Sequence, residues 1–115
     1  MISNDGAYLY VMGKKYEAET EYSTHKNDSY LGNFGYALCE KNRIDILNML
    51  CEQKEATCKD LERYFDFSGS TAYHHLSILS KAGLLKTKNK GKTIYYSIDK
   101  SFMKDIMELL KKYTQ

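Results

Sequence analysis

The chain has 115 residues, 43 % hydrophobic and 28 % charged, a length that suits one domain with a single modest core and excludes two independent ones. No apolar run approaches the roughly 20 residues needed to span a bilayer, the start MISNDGAYLY lacks a secretion signal, and three cysteines without CxxC spacing exclude a disulfide framework, so a cytoplasmic protein with reduced thiols and no membrane contact is expected. The formal charge of +2 is unevenly divided: residues 1–56 carry 6 basic and 9 acidic side chains (net −3) and residues 57–115 carry 11 and 6 (net +5), which directs the C-terminal half towards a polyanion.

Residues 1–30 show little periodicity beyond a short strand pattern at Tyr8 to Met12, and are read as a partly ordered N-terminal arm or the tail of a preceding region. Residues 31–115 are read as the one folded domain. Its first helix spans Leu31 to Glu40, with Leu31, Phe34, Leu38 and Cys39 on one side. Asn42 is the candidate cap of a second helix, RIDILNMLCEQ, whose Ile46, Leu47, Leu50 and Cys51 are expected to face inward. Thr57, with Asp60 three residues on, opens a third helix that carries Cys58, Leu61 and Phe65 on its inner face.

Residues 66–69 then turn the chain into a fourth helix over 70–82. Ser68 or Ser70 caps it, Ala72, His75, Leu76 and Leu79 form its buried stripe, and Gly83 closes it. Two short helices joined by a tight turn, the second with a polar exposed start, form a helix-turn-helix. Leu84 to Lys88, a turn at Asn89-Lys90-Gly91, and Thr93 to Ile98 read as a hairpin, with Ile94, Tyr96 and Ile98 on one face. Between Ser68 and Ile98 there are five lysines and no acid. Asp99 or Ser101 caps a last helix, SFMKDIMELLKKY, whose apolar residues exceed one stripe. A homodimer interface is therefore expected through Leu31, Phe34, Leu38, Phe102, Ile106, Leu109, Leu110 and Tyr113.

This order of elements, with NRIDILNML at 42–50, STAYHHLSILSKAGLL at 70–85 and GKTIYYSI at 91–98, resembles the ArsR-type winged helix-turn-helix repressors over about residues 33 to 112. The resemblance implies a mainly α (α+β) fold of about five helices with one β-hairpin wing. It also implies a homodimer that binds an inverted repeat in double-stranded DNA, released by an effector that in this family is often a metal ion. The family's usual Asp-Pro-Thr-Arg lead-in is Glu40-Lys41-Asn42-Arg43 here. Its Cys-x-Cys thiolate pair falls on Thr57 and Lys59, and residues 101–113 hold no His to match the family's second metal site. Neither metal site carries over, no cofactor is expected, and the effector is left open.

With that resemblance, the outward residues Ser68, Gly69, Ser70, Thr71, Tyr73 and His74 are assigned to the major groove, and Lys88, Lys90 and Lys92 to backbone phosphates. His74 and His75 point about 100° apart on a helix and cannot chelate one ion from the same face. His75 and Cys58 are read as packed structural residues. The competing reading is a winged-helix module for protein-protein contact or regulation within a larger polypeptide. An enzyme is not expected, because no Gly-rich phosphate loop, paired-carboxylate site or Cys-His pair is in evidence in the sequence.

Overall fold

The computed structural model describes residues 8–11, 14–17 and 23–115, with side chains from Ser29 onward. Strands β1 (Tyr8–Val11) and β2 (Lys14–Glu17) pair antiparallel, Tyr8 opposite Glu17 and Val11 opposite Lys14. Five helices follow, with a second hairpin before the last: α1 (Ser23–Leu38), α2 (Lys41–Gln53), α3 (Cys58–Phe65), α4 (Gly69–Lys81), β3 (Leu85–Lys90), β4 (Thr93–Ile98) and α5 (Lys100–Leu110), closed by a 3₁₀ turn over Lys111–Thr114. Five helices and a basic hairpin in this order are the winged helix-turn-helix arrangement. The expected partial order of residues 1–30 falls largely on positions outside the described residues.

Helix α1 starts eight residues before the expected Leu31, because its opening segment STHKND is polar and gives no apolar period. Helix α2 is capped by Glu40 rather than Asn42: Glu40 has extended backbone angles and its Oε1 accepts from the Asn42 N–H at 3.1 Å. The buried residues of α2 are Arg43, Ile46, Leu47, Met49 and Leu50, whereas Cys51, expected inside, is exposed. The inner stripe runs 43, 46, 47, 50 at helical spacing, which leaves position 51 on its shoulder. Helix α3 opens with a complete capping box, Thr57 Oγ1 accepting from Asp60 N–H at 3.1 Å and Asp60 Oδ2 from Thr57 N–H at 2.9 Å.

Asp66, in the left-handed region at φ 58°, stops α3, and Ser68 caps α4 by accepting the Thr71 N–H at 3.1 Å. Gly83 ends that helix at φ +96°, where an added Cβ would stand 2.6 Å from Cε1 of Phe102. The β3–β4 turn is the pair Gly91-Lys92, two residues later than expected, and it leaves Asn89 and Lys90 inside β3, opposite Ile94 and Thr93. Gly91 takes φ +64°, which suits the tight turn. Ala56, between α2 and α3, adds a two-bond bridge to Tyr96 of β4, with N···O distances of 3.0 and 2.8 Å.

The core is built from Ile46, Leu50, Leu61, Leu76, Leu79, Leu84, Phe102 and Ile106, all buried. This corrects the placing of Phe102 and Ile106 at a subunit interface: their exposures are 0 % and 1 %. Helix α5 packs on α1, with the Phe34 and Phe102 rings 6.5 Å apart, and this contact draws one flank of α5 into the protomer's own core. Leu31, Phe34, Leu38 and Leu109 are half-buried against that core. Met107, Leu110 and Tyr113 stand outside, at 67 %, 40 % and 66 % exposure.

Candidate nucleic-acid interface

Ser68, Gly69, Ser70, Thr71, Tyr73 and His74 are all exposed, gathered on the first two turns of α4, while Ala72, His75, Leu76 and Leu79 turn inward as the spacing predicts. Ser68 is occupied by its cap and also meets the Thr71 and Ser70 hydroxyls at 2.9 and 3.3 Å. Glu62 of α3 lies beside this start, 3.5 Å from where a Gly69 Cβ would be, and its charge complements the helix dipole. Ion pairing is local elsewhere on the helix-turn-helix, where Arg63 holds Asp60 at 2.8 Å.

A buried polar cluster fixes α4 from behind. Arg43 is 4 % exposed; its Nε donates to the Ala37 carbonyl at 2.8 Å and its Nη2 to the Tyr36 carbonyl at 3.2 Å, both in the last turn of α1. Its Nη1 lies 3.3 Å from Nδ1 of His75. Burial pushes the His75 imidazole below its usual range, the Glu40 charge opposes that shift, and Arg43 and His74 add to it. His75 is therefore neutral near pH 7 and accepts from Arg43 as the Nε2–H tautomer. The 3.4 Å approach of Glu40 Oε2 to the same Nδ1 is then no ion pair, and that oxygen is buried without a hydrogen bond. Phe67 packs on the His75 ring at 5.5 Å. The expected structural role of His75 holds, but through polar contacts that helical spacing alone does not reveal.

The wing presents Lys86, Lys88 and Lys90 on one face. Lys90, one of the lysines assigned to phosphates, has its Nζ 3.2 Å from Glu55 and 4.5 Å over the Tyr95 ring. Lys88 and Lys92 make no ion pair among the described residues. Lys92, Thr93 and Ile94 at the tip, Tyr73 of α4, and Thr57, Cys58 and Lys59 at the start of α3 line a groove of about 310 Å³ between α4 and the wing. Lys59 is the cation that sequence reasoning noted only as a lost ligand position. Its place directly after the Thr57-Cys58 helix start was the available signal.

Cys58, expected as buried filler, is half-buried at the edge of this groove, its Sγ 3.8 Å from the Gly69 carbonyl. Burial raises its thiol above the ordinary range, and the Glu62 charge and hydrogen bond raise it further. Thr57 is committed to the capping box and Lys59 is exposed. Among the described residues, no three His, Cys, Asp or Glu side chains are grouped to hold a metal ion. Among the same residues no helix is long and apolar enough to cross a membrane.

The model of the family described as bacterial regulatory protein, arsR family, matches residues 40–87, from the cap of α2 into β3. The cadmium resistance transcriptional regulatory protein CadC homolog of Staphylococcus aureus is 33 % identical over 72 residues, 63 % of this chain and 60 % of its own length. The chain thus spans less than two thirds of that relative. The transcriptional repressor SdpR of Bacillus subtilis is 31 % identical over 75 residues, covering 65 % of this chain and 82 % of that one. Among solved structures, a homodimeric winged helix-turn-helix DNA-binding domain from Mycobacterium bovis superposes with a TM-score of 0.65 at 21 % identity, covering 84 % of this chain and 87 % of that one, and shares the fold. These relatives are regulators of transcription and not enzymes, and the chain belongs to the arsR family of bacterial regulatory proteins.

Proposed function

We propose that the protein is a homodimeric, sequence-specific DNA-binding repressor that reads an inverted repeat. The observation that carries this reading is the pairing of an exposed polar helix start with cations across one groove: Ser70, Thr71, Tyr73 and His74 on α4 face outward, and Lys59 and Lys92 flank the groove beside Tyr73. An α-helix of this kind fits the major groove, and free lysines at its margin fit the phosphates on either side. Met107, Leu110 and Tyr113 supply the apolar face for the second subunit, and the kinship to a named repressor and to a homodimeric domain supports the same assembly. Half-sites are then about one helical turn, roughly 34 to 36 Å, apart.

Fluorescence anisotropy on promoter fragments across a salt series tests the reading. Alanine at Lys88 or Lys92 lowers affinity for every sequence and flattens the salt slope by about one unit per contact, whereas substitutions at Tyr73 or His74 change base preference. Because Lys90 is already paired with Glu55, alanine there has a smaller effect than at Lys92. Salt-independent or absent DNA binding would instead favour a module for protein-protein contact.

A further inference from the structure

A second concavity, of about 600 Å³, lies where the end of α2, the base of the wing and the start of α5 meet. Its floor is apolar, from Leu50 and Ile98, and Ser97 and Ser101 add hydroxyls. Three lysines from three different elements stand around it: Lys54 after α2, Lys86 on β3 and Lys100 on α5. None of the three makes an ion pair among the described residues, although other exposed lysines of the chain, Lys41, Lys90 and Lys111, do so with acids nearby. The acid in the groove, Asp99, is already engaged as the cap of α5, its Oδ1 accepting the Phe102 N–H at 3.0 Å. Lys54 closes α2 at φ 76°, its N–H donating to the Leu50 carbonyl at 3.0 Å.

We infer that this groove binds a small organic phosphate monoester, its head among the three lysines and its apolar part along Leu50 and Ile98. The charges match: a phosphate monoester carries about −1.5 to −2 near pH 7, and lysine is a suitable point charge for it. The volume lies in the range of small-molecule sites, and an apolar floor would have no use for the bare phosphates of a nucleic acid backbone. The site is separate from the groove between α4 and the wing and stands whether or not the proposed DNA reading holds. That its occupant affects DNA affinity does rest on that reading, through the wing base and α5, which the groove joins.

The test is an NMR titration of the full chain with hexyl phosphate, inorganic phosphate and hexylammonium. Hexyl phosphate is expected to bind with a Kd below about 1 mM and to shift the amides of Leu50, Ser97, Ile98 and Ser101, with inorganic phosphate at least about tenfold weaker and hexylammonium inert. The variant Lys54→Gly/Lys86→Ser/Lys100→Ser loses at least about tenfold in affinity, and the single Ser97→Glu, which leaves the lysines in place, does the same. Undiminished binding by both variants, shifts spread equally over Lys88 and Lys92, or no binding at about 10 mM would each overturn the assignment. Failure of DNA binding with intact hexyl phosphate binding would count only against the repressor reading.

Discussion

Arg43 joins the end of α1 to α4, and its removal should be among the most damaging single changes in the chain. In Arg43→Met the stem volume is kept and the guanidinium is lost. The Ala37 carbonyl then loses a charged donor at 2.8 Å, worth about 1.5–3 kcal/mol. The Tyr36 carbonyl loses less, about 0.5–1.5 kcal/mol, because it keeps the Cys39 N–H at 3.2 Å. His75 Nδ1 is left without its donor, and Glu40 loses the cation 3.8 Å away. Together these give a destabilisation of about 3–5 kcal/mol, as for breaking a buried charged contact, against a total of about 5–15 kcal/mol for a domain of this kind. Urea unfolding followed by circular dichroism, at one fixed protein concentration because assembly contributes to stability, should show the midpoint falling by about 2 M with an unchanged slope. Arg43→Lys, which cannot span both carbonyls, should recover no more than about half. In a His75→Phe background the Arg43 substitution should cost less, the difference being the coupling between the two. A loss under about 1 kcal/mol, or strict additivity with His75→Phe, would refute the claim that this cluster sets the position of α4.

Other expected outcomes follow from the same structure. His75 is held neutral, with a folded pKa below its unfolded value of about 6.5, so as pH falls below that value the unfolded chain binds a proton that the native one resists. Stability should therefore drop from about pH 6.5 downwards until the folded pKa is passed, and His75→Gln should flatten this part of a pH series of thermal unfolding. On α5, Leu110→Glu and Met107→Glu should yield a folded monomer in sedimentation, because these side chains are 40 % and 67 % exposed, whereas Ile106→Glu, at 1 %, should not fold. Gly83→Ala needs φ +96° and forces a Cβ against the Phe102 ring, so it should cost at least about 2 kcal/mol in urea unfolding; a neutral result would mean that the α4–β3 junction relaxes freely. Titration with cadmium should show no thiolate absorption dependent on Cys58, since among the described residues that side chain belongs to no group of three His, Cys, Asp or Glu able to hold a metal ion.

Much of the fold was legible because its signals are local. The stripe Ala72, His75, Leu76, Leu79 needs only helical period, and the Thr57/Asp60 box only a spacing of three. What was missed depends on partners distant in sequence. Lys90 lies 35 residues from the Glu55 that engages it, and Arg43 lies 32 from His75, so neither contact leaves a local trace. The apolar excess of α5 is more than one stripe, yet a one-dimensional pattern does not say which flank the protomer takes for itself. Packing on α1 claims Phe102 and Ile106 and leaves Met107, Leu110 and Tyr113 outside. Likewise Cys51 satisfies an inward pattern, but the buried arc of α2 takes in Arg43 and Met49 and leaves it exposed.

The bridge between Ala56 and Tyr96 has a mechanical consequence. Ala56 immediately precedes Thr57, whose side chain anchors α3, so two backbone bonds weld the inner half of β4 to the helix-turn-helix frame. Outside that weld the hairpin continues as a cantilever through Tyr95 and Ile94 to Gly91 and Lys92, with the Lys90 to Glu55 contact as a strut. Thermal motion of the wing should thus be a bending of the tip about Tyr96, with the base moving as one body with α3. The distance between α4 and the wing base is then a fixed gauge, and on the proposed DNA reading a curved duplex is met by flexing the last few residues of the hairpin.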